Sequence, residues 1–173
     1  MNFVRGVGAF RRERASSPVR ISTSRRCVVT PEEHKALARR FLEEGWDKGN
    51  LKVLDEVLAA NFIDHNPPPG LAGDREGEKQ AITLWRAAFP DLKSTIEDLI
   101  VEGDRVAGRV TVRGTHKGEF MGISPTGRLV TIEGMFIGRA AAGKIAETWS
   151  QFDATGLMQQ LGAMPSPEKA TGR

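Results

Sequence analysis

Asp153 ends the run Lys144-Ile145-Ala146-Glu147-Thr148-Trp149-Ser150-Gln151-Phe152. If that run is a strand, alternation puts Ile145, Glu147, Trp149, Gln151 and Asp153 on one face. An indole, an amide and a carboxylate side by side are an odd set for a solvated surface. They suit the wall of a pocket holding a flat, oxygenated molecule. A carboxylate packed beside Trp149 and poorly hydrated has its charged form disfavoured, so its pKa rises. That moves it toward the range in which one group can take a proton and later return it. The same residue precedes Gly156-Leu157-Met158, where it can also cap a helix. The two roles are compatible.

The three histidines are His34, His65 and His116. His116 follows Val106, Gly108, Val110, Val112 and Gly114 on one parity, an apolar strand face on which a histidine is commonly hydrogen-bonded structure. A neutral imidazole there can also hold a substrate oxygen or orient an acid. His65 lies in Phe62-Ile63-Asp64-His65-Asn66, with Asp64 on the opposite parity, so the two should not form a dyad. His34 falls in the first turn of a helix and reads as surface. No His-x-His or His-x-x-x-His spacing occurs, and the single cysteine, Cys27, excludes a cysteine zinc site and an internal disulfide. No Gly-x-Ser-x-Gly elbow is present. Gly103-Asp104 and Gly127-Arg128 read as turns rather than phosphate loops, so neither metal nor nucleotide cofactor is expected. Trp85, Trp149, Phe120, Met121, Met135 and Phe136 are candidates to line a cavity or to fill core.

Positioning these groups falls to three helices followed by strands. Thr30-Pro31-Glu32-Glu33 combines a capping threonine, proline at the first helical position and glutamate three residues on. Leu37, Phe41, Leu42 and Trp46 then repeat at helical spacing. Asn50 can start a short helix with Leu51, Leu54, Val57 and Leu58 inward. Residues 61–65 read as extended before Pro67-Pro68-Pro69-Gly70. Asp74 caps a third helix with the stripe Ala81, Ile82, Trp85, Ala88 and Phe89, which Pro90 ends. From Leu92 the period becomes two, predicting strands near 92–101, 105–116, 128–139 and 144–153 and a short helix over 155–161. Helices then strands indicate an α+β domain.

The 173-residue length suggests one domain over 29–163, with 1–28 a disordered basic extension and 164–173 a disordered tail. Residues 1–28 hold seven arginines against Glu13, a charge of +6. The chain total is +3, so the other 145 residues carry −3. A nucleic-acid partner would need a basic face on the folded part, so none is expected. The extension also has the composition of a transit peptide or a basic arm. No apolar run reaches membrane-spanning length, and the lone cysteine fits a reducing cytoplasm.

Two segments carry a family resemblance. One is Gly114-Thr115-His116-Lys117-Gly118-Glu119-Phe120-Met121-Gly122-Ile123-Ser124-Pro125-Thr126-Gly127-Arg128; the other is 143–153 with Gly156-Leu157-Met158-Gln159-Gln160-Leu161-Gly162. Over roughly 30–162 the chain resembles the SnoaL-like polyketide cyclases (ester cyclases) of the nuclear-transport-factor-2-like superfamily. The resemblance implies a cone-shaped, curved, largely antiparallel mixed sheet, with three N-terminal helices enclosing an apolar pocket. It implies cofactor-independent aldol closure of a polyketide-like ester, with Asp153 as acid/base and His116 polarising a carbonyl. His65, Trp149, Gln151, Trp85, Phe120 and Phe136 would contact a small, apolar, oxygenated substrate, and paired sheets would make a homodimer. Two rivals share the scaffold: a hydrolase similar to limonene epoxide hydrolases, and a non-catalytic carrier or dimerisation module.

Overall fold

A computed structural model describes residues 30–165. The expectations for 1–28 and for most of the C-terminal tail lie outside them. Helix α1 (Pro31–Arg40) starts as its sequence dictates: the Thr30 hydroxyl accepts the Glu33 N–H, and the Glu33 carboxylate accepts the Thr30 N–H. It continues without a break into a π-helical run, Phe41–Asp47. Helix α2 (Leu51–Val57), strand β1 (Leu58–Asp64) and helix α3 (Arg75–Ala88) follow. Strands β2 (Lys93–Glu102), β3 (Arg105–Thr115), β4 (Leu129–Ala141) and β5 (Lys144–Phe152) precede helix α4 (Ala154–Leu161).

The five strands form one curved sheet in the order β1-β5-β4-β3-β2. Neighbours are antiparallel except β1 with β5, which are parallel and make the sheet mixed. This is the expected α+β fold, with three helices ahead of the main sheet and a fourth after it. Two apolar clusters anchor the layers. One joins Ala88, Phe89 and Leu92 to Phe120, Val130, Ile132, Leu157 and Leu161. The other joins Val53, Leu54, Val57 and Leu58 to Phe62, Ile82 and Ile145. The concave side of the sheet holds an open space. Among the described residues, no helix is long and apolar enough to cross a membrane.

One irregularity decides what faces that space. Arg139 pairs with Glu147 and Ala140 with Ile145, leaving Ala146 as an extra residue on β5. A one-residue bulge reverses the facing of everything beyond it.

Candidate active site

The concave side holds a cavity of about 700 Å³, within the range of sites for drug-sized ligands. Leu37, Phe41, Trp85, Phe120, Val110 and Phe136 are among its apolar walls. Beyond the bulge, β5 turns Thr148, Ser150 and Phe152 inward and they line the cavity. Trp85, Phe120 and Phe136 are where the sequence reading put them. Gln151 reaches the cavity but is exposed.

The bulge overturns the other assignments on this strand. Trp149 does not line the cavity. Its ring stacks on His65, with centroids 4.4 Å apart and planes 3° off parallel. His65 is likewise off the cavity wall; its Nε2 lies 3.0 Å from Glu147 Oε2. Glu147 also accepts from the Arg139 guanidinium, which first, with His65 second, holds its carboxyl below the usual range. Asp153 is exposed and outside the cavity. Its Oδ1 accepts the Gly156 N–H at 2.8 Å, so it caps α4. The dry setting expected for it is absent, because one extra residue put its face on the other side. Asp153→Ala should lower the unfolding free energy by about 1 kcal/mol through the lost cap, and Asp153→Asn by much less. Neither should alter turnover; urea unfolding beside a steady-state assay checks both.

His116 is fully buried but behind the wall, its ring 5.3 Å from that of Phe89. Its Nδ1 accepts the Thr126 N–H at 3.2 Å, its own N–H donates to Arg128 O, and its C=O accepts from Gly127. The Lys117 and Gly118 amides both donate to Ala88 O, and Thr115 binds Asp91 through amide and hydroxyl. The segment that reads as a family signature therefore clamps a loop to α3. His116 is placed to build the wall rather than to touch a ligand.

Apart from Gln151, the polar groups that face the cavity were not singled out from sequence. Glu78 is 7% exposed, and its Oε1 accepts the Trp46 indole N–H at 2.9 Å. Burial, and next the charge of Asp64, push its carboxyl up to about 7, against the opposing indole hydrogen bond. Asp64 Oδ1 accepts the Asn66 N–H at 3.0 Å, and Thr148 Oγ1 lies 3.5 Å from it. Asn66 Oδ1 accepts the Ser150 N–H at 3.2 Å, which directs its NH₂ elsewhere as a donor.

Local sequence explains the placement. Asp74 Oδ1 accepts the Gly77 N–H and its C=O accepts the Glu78 N–H, fixing the start of α3. A Cβ on Gly77 would lie 1.9 Å from Ala72 O, and one on Gly73 would lie 2.5 Å from Asp64 O. Only glycines let the 70–74 loop press against both carboxylate-bearing elements. At the other end of the indole bond, buried Asp47 accepts from Ser94 N–H and Lys93, and Arg86 binds the Trp46 and Asp47 carbonyls. The π-helical run is thus pinned, and Trp46 with it.

His34 also differs from expectation: it is 6% exposed and lines the cavity. It shares the stripe of Leu37 and Phe41, three and seven residues on, so the helix turns it inward. Among the described residues, no group of three or more His, Cys, Asp or Glu side chains is arranged to hold a metal ion.

Comparison with known proteins agrees with this architecture. The family model for the SnoaL-like polyketide cyclase matches residues 36–161. The aklanonic acid methyl ester cyclase DauD of Streptomyces sp. (strain C5) is 31% identical over 119 residues, 67% of this chain and 71% of that one. TsrD from Streptomyces laurentii superposes with a TM-score of 0.72 at 31% identity, covering 78% of this chain and 98% of the other. IdmH from Streptomyces antibioticus superposes at 0.66 with 35% identity, covering 75% and 98%. With its model matched across nearly the whole described fold, the chain belongs to the SnoaL-like polyketide cyclase family.

Proposed function

We propose that the protein closes a ring in a polyketide-type ester by a cofactor-independent intramolecular aldol reaction, with Glu78 as its acid/base. One observation carries the reading: a carboxyl buried in a ligand-sized apolar cavity, where desolvation pushes it up to about 7. A group of that kind is matched to moving a proton at working pH. In its ionised form Glu78 removes a proton from a carbon acidified by flanking carbonyls. The enolate carbon forms a bond to a ketone carbon of the same molecule, and the resulting alkoxide takes the proton back from Glu78. Atoms balance, and the carboxylate is regenerated.

The neighbours fit supporting roles. The Asn66 NH₂ and the Ser150 hydroxyl can donate to the enolate and ketone oxygens. Asp64 tunes Glu78 by its charge. The apolar walls hold a flexible chain folded, so the reacting carbons meet at high effective concentration. The curated relatives' activity on aklanonic acid methyl ester supports that ester as the first substrate to try.

An aldol closure conserves mass, so incubation with this ester should give an isomer separable by chromatography. Tight binding without any isomer would mark the protein as a carrier and end the enzymatic reading.

The same proposal includes a homodimer through the convex face. Cross-strand partners Ile100, Ala107, Ile137 and Trp149 form a row there, and Ile100, Ile137 and Met135 are 69%, 42% and 66% exposed. An apolar row of this kind favours a partner. Sedimentation should show a dimer that Ile137→Arg converts to monomer; a monomeric native protein refutes it.

A further inference from the structure

One cavity-lining group has no part in the reaction above. His34 sits on the inward stripe of α1 with Leu37 and Phe41, where a leucine would fit the pattern. It is 6% exposed, its Nδ1 is buried without any hydrogen-bond partner, and its ring makes no hydrogen bond among the described residues. A neutral imidazole carries one N–H and one lone pair. Leaving such a group unpaired costs about 1–3 kcal/mol, so a buried, unpaired imidazole on a cavity wall calls for a partner.

Its location says which part of a ligand it would meet. Trp46, which holds Glu78, lies twelve residues further along the same uninterrupted helix. At about 1.5 Å per residue in α1, and less in the wider π-helical turns, the two positions are at most about 18 Å apart along the helix axis. The side chains project into the same cavity, and the helix wall between them is apolar, with Leu37, Ala38, Phe41 and Leu42 along it. This wall therefore offers a ligand hydrogen-bonding groups at two well-separated points, His34 and the Trp46–Glu78 pair.

We infer that His34 is a recognition residue that hydrogen-bonds an oxygen at the far end of an elongated, otherwise apolar ligand whose near end lies at Glu78. The inference rests on the cavity being the ligand site, and not on the ring-closing step.

The test uses two flat probes, 2,6-dihydroxyanthraquinone, with a hydroxyl at each end, and 9,10-anthraquinone, with neither. The native protein should bind the dihydroxy probe more tightly. In His34→Leu that preference should fall about tenfold, the size of one lost hydrogen bond, while anthraquinone affinity stays within about twofold. The variant should unfold no earlier than the native chain, since it replaces an unpaired polar group with an apolar one. The ¹⁵N resonances of the His34 ring, assigned by their loss in the variant, should move with the dihydroxy probe alone. A preference unchanged in His34→Leu, or no preference in the native protein, overturns the inference. The preference is read from binding alone and needs no turnover, so failure of the aldol reading and failure of this one are separate outcomes.

Discussion

Glu78→Gln should lower kcat for ring closure by about 10²–10⁴-fold, the usual share of a positioned acid/base, while making the protein more stable above neutral pH. The two effects have one cause. Glu78 is buried and its carboxyl is raised from 4.5 to about 7, so folding disfavours its charged form. Between those values the unfolded chain has lost the proton and the native one keeps it, so the native protein loses stability as pH rises. The loss is complete above about 7 and amounts to about 3 kcal/mol at 1.36 kcal/mol per unit. Glutamine never ionises and still offers an oxygen to the Trp46 indole. The variant's advantage should therefore be near its full size at pH 8 and vanish below about 4.5. Native kcat/KM should rise with pH and level off above about 7, tracking the ionised base. Chemical unfolding across the pH range and a pH–rate profile give both readouts. An active glutamine variant would remove Glu78 from the chemistry; an inactive one with no stability gain would mean the carboxyl is not buried as described.

The fold was legible because apolar period reports burial directly: stripes at helical spacing became α1 and α3, and alternation became β2 to β5. The site was less so, for two reasons that individual residues make clear. A bulge inserts a residue without disturbing the alternation on either side of it, and Ala146 reverses the facing of Trp149 and Asp153. Its only trace in the sequence is two neighbouring apolar residues, Ile145 and Ala146, which are both buried. The second reason is that a polar residue on an apolar stripe is easily discounted. Glu78 precedes Ala81, Ile82 and Trp85 by three, four and seven positions, and His34 precedes Leu37 and Phe41 by three and seven. Each extends its stripe by one turn, and each faces the cavity. Where an amphipathic pattern continues through an ionisable residue, the helix is bringing that residue to an interior space.

His116→Ala separates building the wall from working in it. The substitution removes a fully buried ring and leaves the Thr126 N–H without its Nδ1 acceptor. Lost packing plus an orphaned buried donor should cost about 3 kcal/mol. Part of that is offset, because accepting at Nδ1 puts the ring's proton on Nε2, which is buried and unpartnered in the native protein. Asparagine can present an oxygen near the Nδ1 position, so His116→Asn should recover about 1 kcal/mol of the loss. Below their unfolding transitions both variants should keep kcat within about threefold, and the pH–rate inflection should stay where Glu78 sets it. KM should rise modestly, because the ring backs Phe89, whose neighbour Phe120 lines the cavity. The opposite split, an intact fold with kcat reduced a hundredfold or more, would return His116 to the reaction. It would require the ring to reach past Phe120 to the ligand, a route for which the clamp on Thr126 leaves little freedom.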